Sequence, residues 1–585
     1  MKTKKKTLLI ITLILTLVLT QVTALGAQSQ NEPNAMRIGV TVQIDSLSPL
    51  ISYSQIGYEV FMLMYDSLVT LDENLEPVGN LATHWELDSS ETEWTFYLEE
   101  GVTWHDGEPF TASDVKFTYD MLIAEGLGMY AGALGGITEV LVEDDHTVVM
   151  KTEAPKANML INATPILPEH IWSQVDPEDY VTWENSQPVG TGPFKFDELR
   201  SGEFLKLVAN PDYFKGAPGI DELIYVLYAN TDTMAQSMRI GEIDAATNFS
   251  PSQLSSLQNE PGIDAIAAVV LGFTELSFNA WDDPASNAHP LLSDFTIRHA
   301  IEYAIDKQSI LDLVYAGQGS VGSTLIPPEG FYHYEPSPEE YRGFDLEKAN
   351  QLLDDAGYVD LNGDGIRQDS DGTPLSFTFT LRANNTDEVQ AGQMIAGTVA
   401  EAGIELNIET VDDGLLIDKI YSGDFDMFIW GWGTDLDPTT ILNVMTTEQI
   451  GNMSDSNYSN ERYDELFVLQ QTLMDPEERQ AVVWEMQQIL YEEAPYIILF
   501  YDNSLQAVNT DRWTGWKTIP EEGGYFFNLT NYNYLNVQPA VAEDGPGAPS
   551  EGDDTMSDSN MTPILIGVAV IAAIAFFFVK KKKSQ

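Results

Sequence analysis

The sequence predicts an α/β chain, a mixed α+β architecture in which sheets are covered by helices. Three observations carry that prediction. Short alternating segments interleave with amphipathic helical segments along almost the whole chain. Between residues 345 and 430 the order is helix, strand, helix, strand, strand, which suits a mixed sheet with helices on its faces. The mature body, about 510 residues, exceeds what one hydrophobic core sustains and predicts two or three domains. No internal repeat of fixed period is present.

The chain begins with Lys2, Lys4, Lys5 and Lys6, then the apolar stretch Leu8–Leu19, then the small residues Ala24, Gly26 and Ala27. That is the order of a secretory signal, so residues 1–27 are expected to be a signal peptide, with retention as an uncleaved anchor as the alternative. Trp94-Thr-Phe-Tyr-Leu98 alternates as a strand, and Gly101 and His105-Asp-Gly107 mark turns. A helix follows, capped by Thr111 or Ser113, with Asp114 in its first turn and Val115, Tyr119 and Leu122 on one face. The spacing of Ile297, Ala300, Ile301, Ala304 and Ile305 predicts one helix over Phe295–Ala316, ended by Gly317. Asp345–Ala356 reads as a helix capped by Asp345 and stopped by Gly357. Strands are expected at Phe377–Leu381, Glu405–Thr410 and Phe425–Trp430, and helices at Asp387–Ala402, Glu461–Met474 and Pro476–Glu493.

Residues 538–562 mix proline, glycine and acid and read as an extended, self-repelling linker. The apolar run 563–579 then spans about 25 Å as a helix, slightly short of a hydrocarbon core of about 30 Å. Lysines 580–583 in the basic tail 580–585 would hold that end in the cytoplasm, placing the body outside. The alternative reading of the run is a buried core helix.

The 28 basic and 91 acidic side chains leave a net charge of −63, a field that repels nucleic acid and attracts cations at low salt. A solvated acidic surface suited to a saline habitat is the plainer reading of the same charge. The absence of cysteine excludes disulfides, thiolate metal sites, a thiol nucleophile and a cysteine-linked lipid. Seven histidines are scattered without metal-ligand spacing. Adjacent acidic pairs such as Asp282–Asp283 and Asp354–Asp355 diverge on a strand or helix, and no Gly-x-Ser-x-Gly or His-Glu-x-x-His motif is present, so the chain offers little to a hydrolase reading. Asp360, Asn362 and Asp364, followed by Gly365, Asp369 and Asp371, resemble a calcium loop; a structural calcium or a plain acidic turn both fit, and no cofactor is required.

Several ordered segments resemble the family 5 extracellular solute-binding proteins of peptide-type ABC transporters. They are Ala82-Thr-His-Trp-Glu-Leu87 with Trp94 through Tyr119, Val189-Gly-Thr-Gly-Pro-Phe194, Asn210-Pro-Asp-Tyr-Phe214, Arg239-Ile-Gly-Glu-Ile-Asp244, Ile297 through Asp306 and Leu346 through Gly357. The resemblance covers about residues 36 to 537. It implies a class II periplasmic-binding-protein fold, two lobes closing by a hinge plus an inserted subdomain. The first lobe would combine 36–75, 186–275 and 495–537, the inserted subdomain 76–185 and the second lobe 276–494, with hinge crossings near 275 and 495.

The same resemblance implies the site. In peptide-binding relatives an aspartate in a Trp/Gly-rich loop pairs with the ligand's α-ammonium; here the loop is Phe428 through Thr440, and Asp435 is the equivalent, while Asp437 is placed to cap the next helix. Trp430, Trp432 and Gly433 belong to that loop, and the two tryptophans either wall the cleft or pack in the core. Asn279 and Trp281 fall where the chain enters the second lobe, and Ser46 and Tyr53 fall in the opening segment that lines the cleft in relatives; for these four, contact and structural roles both stand. The implied function is a monomeric receptor outside the cell that captures short peptides and delivers them to an ABC permease, tethered by its C-terminal span. The alternatives are an oligosaccharide or a metal chelate as ligand.

Overall fold

The computed structural model describes residues 33–52, 54–126, 130, 134–161, 163–280, 286–433, 435–521, 523–527 and 530–540. The predicted signal peptide, membrane span and basic tail lie outside these residues, as do Tyr53 and Trp281. Among the described residues no helix is long and apolar enough to cross a membrane. Residues 538–540, expected to open the linker, are tied to the body instead: Gln538–Pro539 pairs with Trp513–Thr514, and the Ala540 amide donates to the Arg512 carbonyl at 2.8 Å.

One 11-stranded mixed sheet runs through the molecule. Its strands lie in the order Glu405–Val411, Ser376–Arg382, Met427–Gly433, Ile263–Phe278, Tyr496–Asn509, Ala245–Ala246, Ala35–Val40, Glu222–Leu227, Phe204–Ala209 and Phe194–Arg200, with Ser320–Val321 paired to Tyr496–Asn509. Ala35–Val40 runs parallel to Glu222–Leu227, and Ser376–Arg382 runs parallel to Glu405–Val411. The two long central strands, Ile263–Phe278 and Tyr496–Asn509, are antiparallel and cross from one end of the sheet to the other.

Along these strands the buried apolar residues belong to different clusters at the two ends. Ala265 packs with Met234, Phe249 and Leu254, together with Leu505 and Ala507. Phe273 and Tyr501 already belong to the other side, with Leu276, Ile297 and Phe379 beyond them. The buried residues of these strands therefore change cluster between Ala267 and Phe273 and again between Tyr501 and Leu505. At the first crossing the pairing slips: Val269 opposes Asn503, whereas Phe273 opposes Tyr501, leaving extra residues on the first strand in the manner of a β-bulge.

The region 76–185 has its own antiparallel sheet, ordered Ala82–Leu87, Glu93–Leu98, Thr147–Thr152, Ile137–Asp144. It has no separate core. Trp94, Phe96, Trp104 and Trp172 belong to the cluster that also holds Met36, Phe61, Phe194 and Tyr225. His105 pins the two parts together, its Nδ1 accepting the Gly190 N–H at 3.1 Å and its Nε2 bonded to the Gly192 carbonyl at 3.0 Å. Burial holds this imidazole neutral, down to about 4. The glycines are needed there, because a Cβ on Gly190 would lie 1.8 Å from the Met64 carbonyl oxygen.

Local signals explain most helices. In Ala112–Glu125 the Thr111 N–H donates to Asp114 Oδ2 at 2.9 Å, half of a capping box, and Gly126 ends the helix at φ 63. Pro476–Glu493 starts on Asp475, whose carboxylate accepts the Glu477 and Glu478 amides at 3.0 Å each. The single helix predicted over 295–316 is two, Phe295–Tyr303 and Lys307–Val314. Asp306 makes the break: its carboxylate accepts the Ser309 amide at 3.0 Å and the Ser309 hydroxyl at 2.6 Å, which starts a second helix inside an unbroken apolar pattern.

Candidate functional site

The strand Met427–Gly433 is buried at its start and opens at its end, so its first three side chains anchor the open part. It pairs antiparallel with Ile263–Phe278, setting Trp430 opposite Glu275 and Trp432 opposite Phe273. Both tryptophans are half-buried and share a face, as strand alternation requires. Trp430 lies under the Arg382 guanidinium, 4.7 Å from its centre, while Arg382 Nε donates to Glu388 at 2.7 Å. Trp432 donates from Nε1 to Asp455 Oδ2 at 3.0 Å, and the Tyr496 hydroxyl donates to the other oxygen. Gly433 is exposed.

Beyond it, Asp435 accepts a bond from the Thr440 hydroxyl at 3.1 Å. Its side chain is exposed, with protein near enough to desolvate the carboxylate in part. That desolvation raises it above the usual carboxylate range; the Thr440 bond opposes the rise and the charge on Asp437 adds to it. The charge of Asp435 acts on Tyr58, on the helix Gln55–Met64. Its hydroxyl is pushed up to about 12, first by burial and then by the charge on Asp435. Tyr58 also stacks on Tyr130 with ring centres 5.8 Å apart. The charge of one residue is thus felt by another 377 positions away in sequence.

Asp437 does more than cap the next helix. It accepts the Thr439 amide at 3.0 Å, and both its oxygens are bound by Arg479, at 2.6 and 3.1 Å. Arg479 also reaches Gln470, Thr439 and the Tyr332 hydroxyl. Lys156, from the inserted region, approaches the same carboxylate while its Nζ donates to the Gly135 carbonyl at 2.9 Å; burial lowers this lysine to about 8, and Asp437 works against that. Beside it the Ala157 amide donates to the Gln471 carbonyl at 3.0 Å, a direct bond from the inserted region to the segment after the Asp435 loop.

The other predicted site residues have structural partners. Asn279 is buried, its Nδ2 donating to the Gly423 and Phe425 carbonyls at 3.0 Å each, which ties the end of a central strand to a turn. Ser46 is buried and accepts the Ser48 amide at 3.1 Å. In the acidic loop, Asp360 accepts the Gly363 and Gly365 amides at 2.6 and 3.0 Å, Asn362 the Asp364 amide at 3.0 Å, Asp364 the Ile366 amide at 2.9 Å and Asp369 the Asp371 and Thr373 amides at 2.9 and 2.8 Å. Each side-chain oxygen set closes a local turn, and among the described residues no three acidic or histidine side chains converge as a metal site.

Sequence reasoning missed Tyr58, Lys156 and Arg479. Nothing local marks them: Tyr58 sits in an ordinary amphipathic helix, and the two cations acquire their partners only through the fold.

Residues 76–452 match the profile of the bacterial extracellular solute-binding proteins, family 5. The chain belongs to this family. Among family 5 relatives, the oligopeptide-binding protein AppA of Bacillus subtilis is 26% identical over 551 residues, covering 90% of this chain and 98% of that protein. Its structure in complex with a nonapeptide superposes with a TM-score of 0.73 at 24% identity, over 87% of this chain and all of the other. The heme-binding protein A of Haemophilus influenzae is 26% identical over 461 residues, 74% of this chain and 81% of its own length. The structure of NikZ from Campylobacter jejuni in complex with Ni(L-His) gives a TM-score of 0.73 at 23% identity, covering 87% of this chain and all of that one. The fold is that of the family 5 solute-binding proteins.

Proposed function

We propose that the protein captures short peptides outside the cell by closure of its two lobes and delivers them to an ABC permease, held near it by the C-terminal run 563–579. The observation that carries this reading is the carboxylate of Asp435, held by a single hydroxyl donor in the Trp/Gly-rich loop and close enough to Tyr58 for its charge to act there. A desolvated carboxylate with one hydroxyl donor is poorly compensated, and an ammonium entering beside it completes the pair. The stacked pair Tyr58 and Tyr130 adds aromatic surface for an apolar side chain, and Gly433 leaves the end of its strand exposed for a peptide backbone. A solute that touches both sides favours the closed arrangement by its differential affinity for it. The similarity to AppA supports peptide over other solutes. The reaction is binding and release, with no covalent step and no cofactor, and tethering would raise the receptor's effective concentration at the permease.

Isothermal calorimetry tests the reading with pools of di- to pentapeptides, cello- and manno-oligosaccharides, hemin and Ni(L-His). Peptide pools should give heat, and Asp435→Asn should weaken that binding by about 1.5–3 kcal/mol, the range for a hydrogen bond to a charged group. Heat from the sugars, hemin or the nickel complex alone would replace the peptide assignment. An unchanged peptide affinity in Asp435→Asn would remove the ammonium role.

A further inference from the structure

The two crossing strands carry an unusual group. Glu275, on Ile263–Phe278, has no exposed surface, and neither of its carboxyl oxygens has a hydrogen-bond partner among the described residues. Two more carboxyl groups lie close enough to act on it, Asp455 and Asp502. Asp455, 4% exposed, receives Trp432 Nε1 and the Tyr496 hydroxyl. Asp502 sits at the return crossing on Tyr496–Asn509 and receives the Thr274 hydroxyl at 3.1 and 3.3 Å. Asp455 thus joins side chains of the two strands that flank Glu275, and Asp502 is tied to the residue before it, beside the β-bulge.

The positive charge available to them is small. Arg382 faces Glu275 from the strand Ser376–Arg382, but its guanidinium is bound to Glu388 at 2.6 Å. Lys307 reaches the Ile498 carbonyl beside Glu275, yet it is paired with Glu302 at 3.0 Å. Tyr315 packs near Asp502 and stays neutral, held so chiefly by burial. Burying the carboxylates of Glu275 and Asp455, with half-buried Asp502 nearby and one shared cation, is unfavourable in a low-dielectric interior, and binding a proton removes the cost.

We propose that Glu275, Asp455 and Asp502 form a proton-binding site at the strand crossing, which keeps the crossing strands packed while occupied and loosens them when the proton is lost. The site depends on no particular solute, so it stands apart from the peptide assignment. The direction is set by the groups themselves. Burial raises Glu275 well above the carboxylate range, Asp455 to about 7 and Asp502 to about 6, with Asp455 and Asp502 adding to the rise at Glu275. The packed form therefore holds protons that an opened or unfolded chain releases. Its stability is greatest in acid and falls as pH rises through the interval from about 4 to 7 and beyond. Loosening at this place would free the lobes to swing apart, since both connecting strands pass through it.

Amide hydrogen exchange of the full-length, solute-free protein tests the proposal. Opening rates of segments 268–278 and 496–504, corrected for intrinsic exchange chemistry, would be compared at pH 5.5 and 8.0, with the remote strand Thr147–Thr152 as internal reference. In the wild type the crossing should open at least ~10-fold faster at pH 8.0 relative to the reference strand, the factor equivalent to a one-unit difference in proton affinity. Glu275→Gln should cut that to less than ~3-fold. Asp502→Asn, at a half-buried position that tolerates substitution more easily, should also reduce it and carries the test if Glu275→Gln does not fold. An equal pH dependence in wild type and variants, or a crossing that follows the reference strand, would overturn the proposal.

Discussion

Replacing Arg479 by methionine tests how the loop bearing Asp435 is held. Arg479 and Asp437 expose only 3% and 8% of their side chains, and their bond is bidentate. The guanidinium also binds Gln470 twice, at 2.8 and 3.0 Å, Thr439 at 3.0 Å and Tyr332 at 3.1 Å. Methionine preserves most of the stem and removes every donor. Asp437 is then left with the Thr439 amide, and with Lys156, whose Nζ is engaged elsewhere. Breaking a buried pair from one side costs about 3–5 kcal/mol, because the surviving charge stays desolvated. Six lost hydrogen bonds would sum to more, but water reaches some acceptors after truncation, so about 4 kcal/mol is expected. Asp437→Leu combined with Arg479→Met removes both charges and should recover at least about 2 kcal/mol of that loss, since an apolar replacement of a buried pair is often near neutral. Urea unfolding followed by tryptophan fluorescence and circular dichroism, arranged as a double-mutant cycle, measures both. A cost below about 1 kcal/mol for Arg479→Met, or a coupling below about 0.5 kcal/mol, would refute the view that this pair holds the loop.

Three further outcomes are expected. Gly190→Ala should destabilise by about 3 kcal/mol or abolish folding, because its Cβ would meet the rigid Met64 carbonyl at 1.8 Å; normal expression and melting would contradict the close approach. Glu59, 8% exposed, is raised to about 8 by burial, so the folded state keeps a proton that the unfolded state loses above about 4.5; stability should fall by about 4–5 kcal/mol between those limits, and Glu59→Gln should flatten that slope in a pH series of thermal melts. His105 has the opposite sign, its folded value near 4 lying below the ordinary 6.5, so its contribution of about 3 kcal/mol is present at neutral pH and lost as pH falls through that window. His105→Gln should lose much of the pH dependence between 6.5 and 4, and an unaltered acid limb of the stability curve would discount the pin.

Much of the secondary structure was legible because its causes are local. Asp475 and Pro476 announce a helix that runs to Glu493 as read, and the Thr111–Asp114 box opens another. The strands Glu405–Val411 and Ser376–Arg382 follow their alternation. Even the error over 295–316 was local in origin: apolar spacing continues through Ala304 and Ile305, whereas Asp306 bonds its own backbone neighbourhood and restarts the helix.

The candidate site was legible only in part. Motif resemblance pointed to the loop of Trp430, Trp432 and Asp435, but it also pointed to Asn279, whose amide the fold spends on two backbone carbonyls. By itself the sequence determined the element types, the caps, the turn glycines, the charge and the family, all of which depend on residue chemistry at short spacing. Tertiary structure alone decided that the charge on Asp435 reaches Tyr58, that Arg479 secures Asp437 and that Glu275 is buried without a partner where Asp455 and Asp502 act on it. The physical reason is range. Periodicity records which face of one element is buried, while burial of a charge and the identity of its partner depend on which elements the sheet brings side by side.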